Sequence, residues 1–151
     1  MMESLKELYQ EVILDHSRHP RNFGKPEACT HEAHGYNPLC GDTVNIYLSL
    51  STDEVVEDLF FDGKGCAISI ASASMMTEIL KNKTRSEAEE IFEQFRNLVT
   101  SDKGTVPETE AGERLRVLAG VKQFPMRVKC ATLPWHAVHS ALNDQTDTTT
   151  E

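Results

Sequence analysis

The sequence predicts an α+β fold, a small antiparallel sheet of about three strands packed against several helices. Two observations carry this. Between His31 and Asp62 apolar residues alternate with polar ones, and beyond Cys66 they recur at helical spacing as far as Leu142. The strands come first and most helices follow them rather than alternating with them, which is the α+β order.

Leu5, Leu8, Tyr9, Val12 and Ile13 recur at helical spacing with Glu and Lys between them, so the chain opens on an amphipathic helix that closes before His19-Pro20. Thr30 to Pro38 reads as extended or loop structure, with a third strand near His31 to Tyr36. Val44, Ile46, Leu48 and Leu50 alternate with Asn45, Tyr47 and Ser49 as a half-buried strand does. Ser51 to Glu54 turns the chain, and Val55 to Asp62, rich in β-branched and aromatic residues, pairs back antiparallel as a hairpin. Gly63-Lys64-Gly65-Cys66 breaks that strand. Ala67 to Lys81 is helical material with small residues on several faces. Ser86 followed by Glu89 is a capping-box pattern, and Ile91, Phe95, Leu98 and Val99 supply the buried stripe of the helix it starts. Residues 100–111, with Gly104 and Pro107, read as a surface loop, and Asp102 to Glu113 as a solvated face. A short helix at Glu113 to Ala119 and a last one from about Ala131 to Leu142 complete the set, Pro134 fitting only within a first helical turn.

A chain of 151 residues supports one core, so residues 1–142 are expected to form one domain, with a polar, threonine-rich tail at 143–151 expected to be disordered. No apolar run reaches the length of a membrane span, and Met1 to Gln10 lacks the apolar centre of a signal peptide, so a cytoplasmic location is expected. A formal net charge of -9 argues against a nucleic-acid partner, since phosphate binding calls for a basic surface. A protein partner or a small cation fits better. Four cysteines in a reducing compartment point to metal binding or catalysis rather than disulfides.

Three of those cysteines share a setting: Cys40 in Asn37-Pro38-Leu39-Cys40-Gly41-Asp42, Cys66 in Gly63-Lys64-Gly65-Cys66-Ala67, and Cys130 in Arg127-Val128-Lys129-Cys130-Ala131. Each lies beside glycine or where an extended segment hands over to a loop or helix. Cys66 and Cys130 both precede predicted helices, where unsatisfied N–H groups favour a thiolate, the form that serves as nucleophile and as metal ligand. Zinc takes four ligands. Cys40, Cys66 and Cys130 supply three, and Asp42, on the same side of an extended segment as Cys40, supplies a fourth. Such a site carries a charge of about −2 by summing its ionised ligands, which Lys64, Arg127 and Lys129 lie near enough in sequence to offset. An aspartate ligand is harder and more readily displaced than a fourth thiolate, which suits ligand exchange. The cysteine spacing matches no short paired zinc motif, so buried inert cysteine stands as the alternative from spacing alone. Cys29 lacks the setting and reads as a spare thiol. His16, His19, His31, His34, His136 and His139 have no spaced partner that would single one out, and read as surface or packing residues.

His19-Pro20-Arg21-Asn22, NPLCGD at 37–42, GKGCAISIASASMMTE at 63–78 and RVKCATLPWHA at 127–137, in this order, resemble the SufU branch of the NifU N-terminal/IscU family of iron–sulfur cluster assembly proteins. IscU-type members usually carry a histidine before the third cysteine, where this chain has Lys129, and the long stretch between Cys66 and Cys130 resembles the SufU insertion. The resemblance implies zinc held by Cys40, Asp42, Cys66 and Cys130, and a SufS-type cysteine desulfurase as partner, with downstream SUF assembly proteins beyond it. It further implies that docking exchanges a partner ligand for Cys40, which then takes the persulfide sulfur; Arg127 and Lys129 would support docking or the persulfide's charge. The chain would then act as the acceptor in a two-protein sulfurtransferase reaction and not turn over a substrate alone. Two other readings stay open: a scaffold that assembles a 2Fe–2S cluster on the same cysteines, and a purely structural zinc domain.

Overall fold

Helix α1 runs from Leu5 to Arg18 and buries Tyr9, Ile13 and His16. The computed structural model describes residues 5–39, 41–100 and 109–149. Three strands follow: β1 (His31–Asn37), β2 (Asp42–Leu50) and β3 (Val56–Lys64). Both β1 with β2 and β2 with β3 pair antiparallel, Asn37 facing Asp42 at one end of the first ladder and Thr43 facing Lys64 at the same end of the second. The period-2 expectation is borne out, including the strand over His31 to Tyr36.

Helices α2 (Ala67–Leu80), α3 (Arg85–Thr100), α4 (Glu110–Leu118) and α5 (Pro125–Leu142) come next, with a 3-10 turn at Ala119–Gln123 before α5. The chain ends on β4 (Asp147–Thr149), which lies parallel to β1 and completes a mixed sheet of order β3-β2-β1-β4. The fourth strand was not expected, and part of the tail expected to be disordered is placed in it. Helix α5 packs across β1 and β2, and α2 packs against both α1 and α5. Between these layers lie Trp135, Phe61, Phe95, Ile46, Leu48 and Leu133, all nearly inaccessible.

Small residues on several faces of α2 explain its central place. Ser69, Ala71, Ser72, Ala73 and Ser74 are all buried, and short side chains let neighbouring backbones come close. The hydroxyls of Ser72 and Ser74 are partnered. Ser72 Oγ donates to the Ala131 carbonyl at 2.6 Å and accepts from Trp135 Nε1 at 3.1 Å, while Ser74 Oγ accepts from the Arg21 N–H at 2.8 Å.

Three helix starts differ from expectation. The capping box of α3 is Thr84 with Glu87: the Glu87 N–H donates to Thr84 Oγ1 at 3.1 Å and the Thr84 N–H to Glu87 Oε1 at 2.9 Å. Glu89, expected as the box acid, instead meets His139 Nδ1 at 2.7 Å and so ties α3 to α5. Helix α5 begins with Pro125 at its first position, which places Cys130 inside the helix and Pro134 in its interior. Pro134 has no N–H for the Cys130 carbonyl four residues earlier, so the helical bond is missing there. Helix α4 starts at Glu110, earlier than expected, with Thr109 Oγ1 accepting from the Gly112 N–H at 3.0 Å as its cap. The remainder of the expected loop, 101–108, lies outside the described residues. Among the described residues no helix is long and apolar enough to cross a membrane.

Candidate metal centre

The end of the sheet where β1 hands over to β2 and β3 hands over to α2 brings three chemistry-bearing side chains together. Asp42 opens β2, Cys66 is the N-cap residue of α2, and Cys130 projects from α5 where that helix crosses the sheet. One carboxylate oxygen and the two sulfurs lie within 4.8 Å of one another. Asp42 and Cys130 are buried and Cys66 is half-buried, so the cluster has one accessible side.

Local geometry follows from the chain. The Cys66 N–H donates to Asp42 Oδ1 at 3.0 Å, and Asp42 Oδ2 lies 3.8 Å from Cys66 Sγ. Gly65 makes this approach feasible: a Cβ there would sit 3.1 Å from Asp42 Oδ1 and 3.2 Å from Ser69 Oγ. Gly63, at φ 134°, lets β3 close against β2, since a Cβ there would come within 2.3 Å of the Thr43 carbonyl oxygen. Asn37, fully buried at the end of β1, sends its side-chain Nδ2–H toward Cys130 Sγ at 3.7 Å.

The donor set fits a thiophilic divalent cation. Two sulfurs and a carboxylate gathered in a mostly buried pocket repel one another when ionised, and a cation removes that repulsion. Tetrahedral zinc with sulfur and oxygen ligands holds its ligand atoms about 3.5 Å apart, so the described atoms need to contract only modestly. Beside the cluster stands Tyr9, whose phenol is pushed up to about 12 by burial, with the charges of Cys66 and Cys130 adding to the shift.

Of the residues that sequence reasoning singled out, Asp42, Cys66 and Cys130 come together; Cys40 lies outside the described residues. Lys64, Arg127 and Lys129 are exposed. Arg127 lines an apolar groove with Tyr9, Ile13, Leu14, Ile68 and Phe124. Cys29 is a free, half-buried thiol outside the cluster, its pKa raised by burial. Among the described residues no histidine joins the cluster: His16 bonds Ser74, His34 bonds Asn45, and His139 stacks on Phe92. Neither Asn37 nor Tyr9 was singled out by the sequence as a residue of the site. The signal for Asn37 was its place before Pro38 in a turn, where asparagine serves the backbone.

A family model described as the NifU-like N terminal domain matches residues 8–131. Over 141 residues the chain is 36% identical to the iron–sulfur cluster assembly scaffold protein IscU of Streptococcus pyogenes serotype M1, covering 93% of this chain and 86% of that protein. It is 38% identical over 140 residues to the zinc-dependent sulfurtransferase SufU of Bacillus subtilis (strain 168), covering 92% of each. Among solved structures it resembles a putative iron–sulfur cluster assembly scaffold protein for the SUF system from Fervidobacterium islandicum AW-1, with a TM-score of 0.80 and 35% identity over 90% of this chain and 97% of that one. A domain model spanning most of the chain, with relatives at these identities along nearly its full length, makes the chain a member of the NifU-like N-terminal domain family.

Proposed function

We propose that this protein is a zinc-dependent sulfur acceptor for a SufS-type cysteine desulfurase in iron–sulfur cluster assembly, with Cys40 taking the sulfur. The observation that carries this reading is the convergence of Asp42, Cys66 and Cys130 within 4.8 Å at one end of the sheet, next to the turn from β1 to β2. Cys40, which in sequence precedes Gly41 and stands two residues before Asp42, is assigned as the fourth ligand. Bound zinc would keep the thiolates deprotonated and shielded from oxidation.

In the transfer itself, the Cys40 thiolate attacks the outer sulfur of the partner's persulfide. The S–S bond of the donor breaks, the partner cysteine leaves as thiolate, and Cys40 becomes the persulfide, with no net redox change. Half-buried Cys66 and fully buried Cys130 suit retention, not transfer, since a transferring sulfur must reach the partner. Exposed apolar side chains near the site support a protein partner: Leu39, one residue before Cys40, is 65% exposed, and Met126, in the first turn of α5, is 76% exposed. Arg127 and Lys129, exposed on the same helix, are assigned to docking or to the persulfide's charge, and Lys64 to charge balance. The same reading places the protein in a reducing compartment, the cytoplasm, where thiolates stay available to metal and sulfur.

A second reading has its own support, because the Streptococcus relative carries the name of a scaffold and thiolate sites accept both zinc and iron–sulfur clusters. One experiment separates them: elemental analysis of the purified protein, with desulfurase turnover measured in the presence of wild type and of Cys40→Ala. One zinc per chain, with stimulation of turnover that the variant loses, supports the sulfur acceptor. Iron and acid-labile sulfide without stimulation establishes the scaffold. Full stimulation by Cys40→Ala would overturn the assignment of Cys40.

A further inference from the structure

We propose that Asn37 is a positioning residue of the metal centre, its side-chain N–H fixing the Cys130 sulfur while its carbonyl groups hold the turn that leads to Cys40. The inference rests on the reading above that Cys130 is a metal ligand. It assigns a role to a residue outside the ligand set.

Asn37 is fully buried, and burying an amide side chain without partners is unfavourable. Its partners are the site. Nδ2 donates to Cys130 Sγ at 3.7 Å, a separation within the longer range of bonds to sulfur, and Oδ1 accepts from the Leu39 N–H at 3.2 Å. Its main-chain carbonyl accepts from the Gly41 N–H at 2.8 Å. Across the first ladder it is the register partner of Asp42. One residue therefore touches a sulfur on α5, two backbone groups of the turn, and the strand position that carries the carboxylate.

The donor end matters for the charge of the site. Three thiolates and one carboxylate around a divalent cation leave about −2, and an N–H aimed at a sulfur withdraws part of that charge without adding a cation. Asparagine alone among residues of this size offers a donor and an acceptor from one planar group, so both duties rest on it.

The test compares wild type, Asn37→Asp and Asn37→Ala, the last also in a Cys40→Ala background. Asn37→Asp keeps the acceptor for Leu39 and loses the donor to sulfur; Asn37→Ala loses both. Zinc affinity is read by competition with a chromophoric chelator, the ligand field by the sulfur-to-metal charge-transfer bands of the Co2+ form, and folding by far-UV circular dichroism. Both single variants are expected to bind zinc about 10–100-fold more weakly and to shift the charge-transfer bands, and the shift is expected to persist in the Cys40→Ala background. Wild-type affinity and spectrum in Asn37→Asp would overturn the proposal. If Asn37→Asp does not fold, the alanine pair decides: a shift that vanishes in the Cys40→Ala background places the effect in the turn and overturns it. If wild-type protein itself shows no thiolate-to-Co2+ bands, the metal-centre reading fails and the proposal falls with it.

Discussion

The N–H of Cys66 holds Asp42 Oδ1 at 3.0 Å, so the amide that opens α2 fixes one carboxylate oxygen and leaves the other 3.8 Å from the Cys66 sulfur. With Asp42 as the metal ligand proposed above, the carboxylate has a structural half and a ligand half. Asparagine can replace the first and not the charge of the second. Asp42→Asn is expected to keep the stability of the metal-free protein and lose zinc affinity. Asp42→Ala is expected to lose affinity and, in addition, about 1–3 kcal/mol of stability from the unpaired Cys66 N–H. Urea unfolding of the metal-free forms, with chelator competition for zinc, measures the two halves separately.

Gly63 and Gly65 lie on either side of Lys64 yet are glycine for different reasons. A Cβ at Gly63 would overlap the Thr43 carbonyl, a backbone atom that cannot turn aside, at a φ of 134° that other residues rarely adopt. Gly63→Ala is expected to cost about 3 kcal/mol or more in urea unfolding. Gly65→Ala meets a side-chain oxygen of Asp42 at 3.1 Å, so its main expected effect is weaker zinc binding with a smaller loss of stability. Equal losses of affinity and stability at both positions would refute the distinction.

Much of the fold was legible because period governs it. The hairpin of β2 and β3 follows from alternation, and Cys66 at a helix start follows from the glycines before it. Overlapping signals caused the misses. Thr84-x-x-Glu87 and Ser86-x-x-Glu89 are both capping boxes, and the first is the one used because Glu89 is engaged by His139. Pro134 reads as a first-turn proline, but the first-turn proline of α5 is Pro125, and Pro134 is accommodated inside the helix, where the adjacent Ala131 carbonyl receives the Ser72 hydroxyl. Strand β4 has no apolar alternation and is held to β1 by backbone pairing, so no side-chain pattern announces it. The convergence of Cys66 with Cys130 is a product of α2 packing on α5, which spacing along the chain does not encode.

Buried His16 and Tyr47 and half-buried His136 contribute to the dependence of stability on pH. Burial lowers the pKa of His16, with Arg21 adding to the effect, and burial with His139 lowers that of His136. The unfolded chain therefore takes up these protons first as pH falls below about 6.5, so their contribution is complete above that value and is lost as pH falls through the folded values. Burial, then the hydrogen bond to Asp62, pushes the Tyr47 phenol up to about 12. Its contribution is complete below about 10 and is lost as pH rises toward 12. Urea midpoints across pH are expected to fall on both sides, with His136→Gln flattening the acid limb and Tyr47→Phe the alkaline limb. A limb unchanged by its variant assigns that limb to other groups.

Chelation distinguishes a chemical site from a structural one. In a small zinc domain the metal supplies the folding energy, and the metal-free chain is unfolded. Here the core lies elsewhere: Trp135, Phe95, Phe61 and Leu48 pack between sheet and helices, and Ser72 satisfies the buried Trp135 N–H without help from the cluster. Removing the metal leaves Asp42 paired with the Cys66 amide and Cys130 with Asn37, so the ligands keep partners of their own. The metal-free protein is therefore expected to retain its far-UV circular dichroism and a cooperative melt, at a lower melting temperature because the bound cation stabilises only the folded state. Ser72→Ala, far more than chelation, is expected to damage the fold, costing about 1–3 kcal/mol by stranding the Trp135 N–H. Loss of secondary structure on chelation would return the structural zinc domain as the better reading.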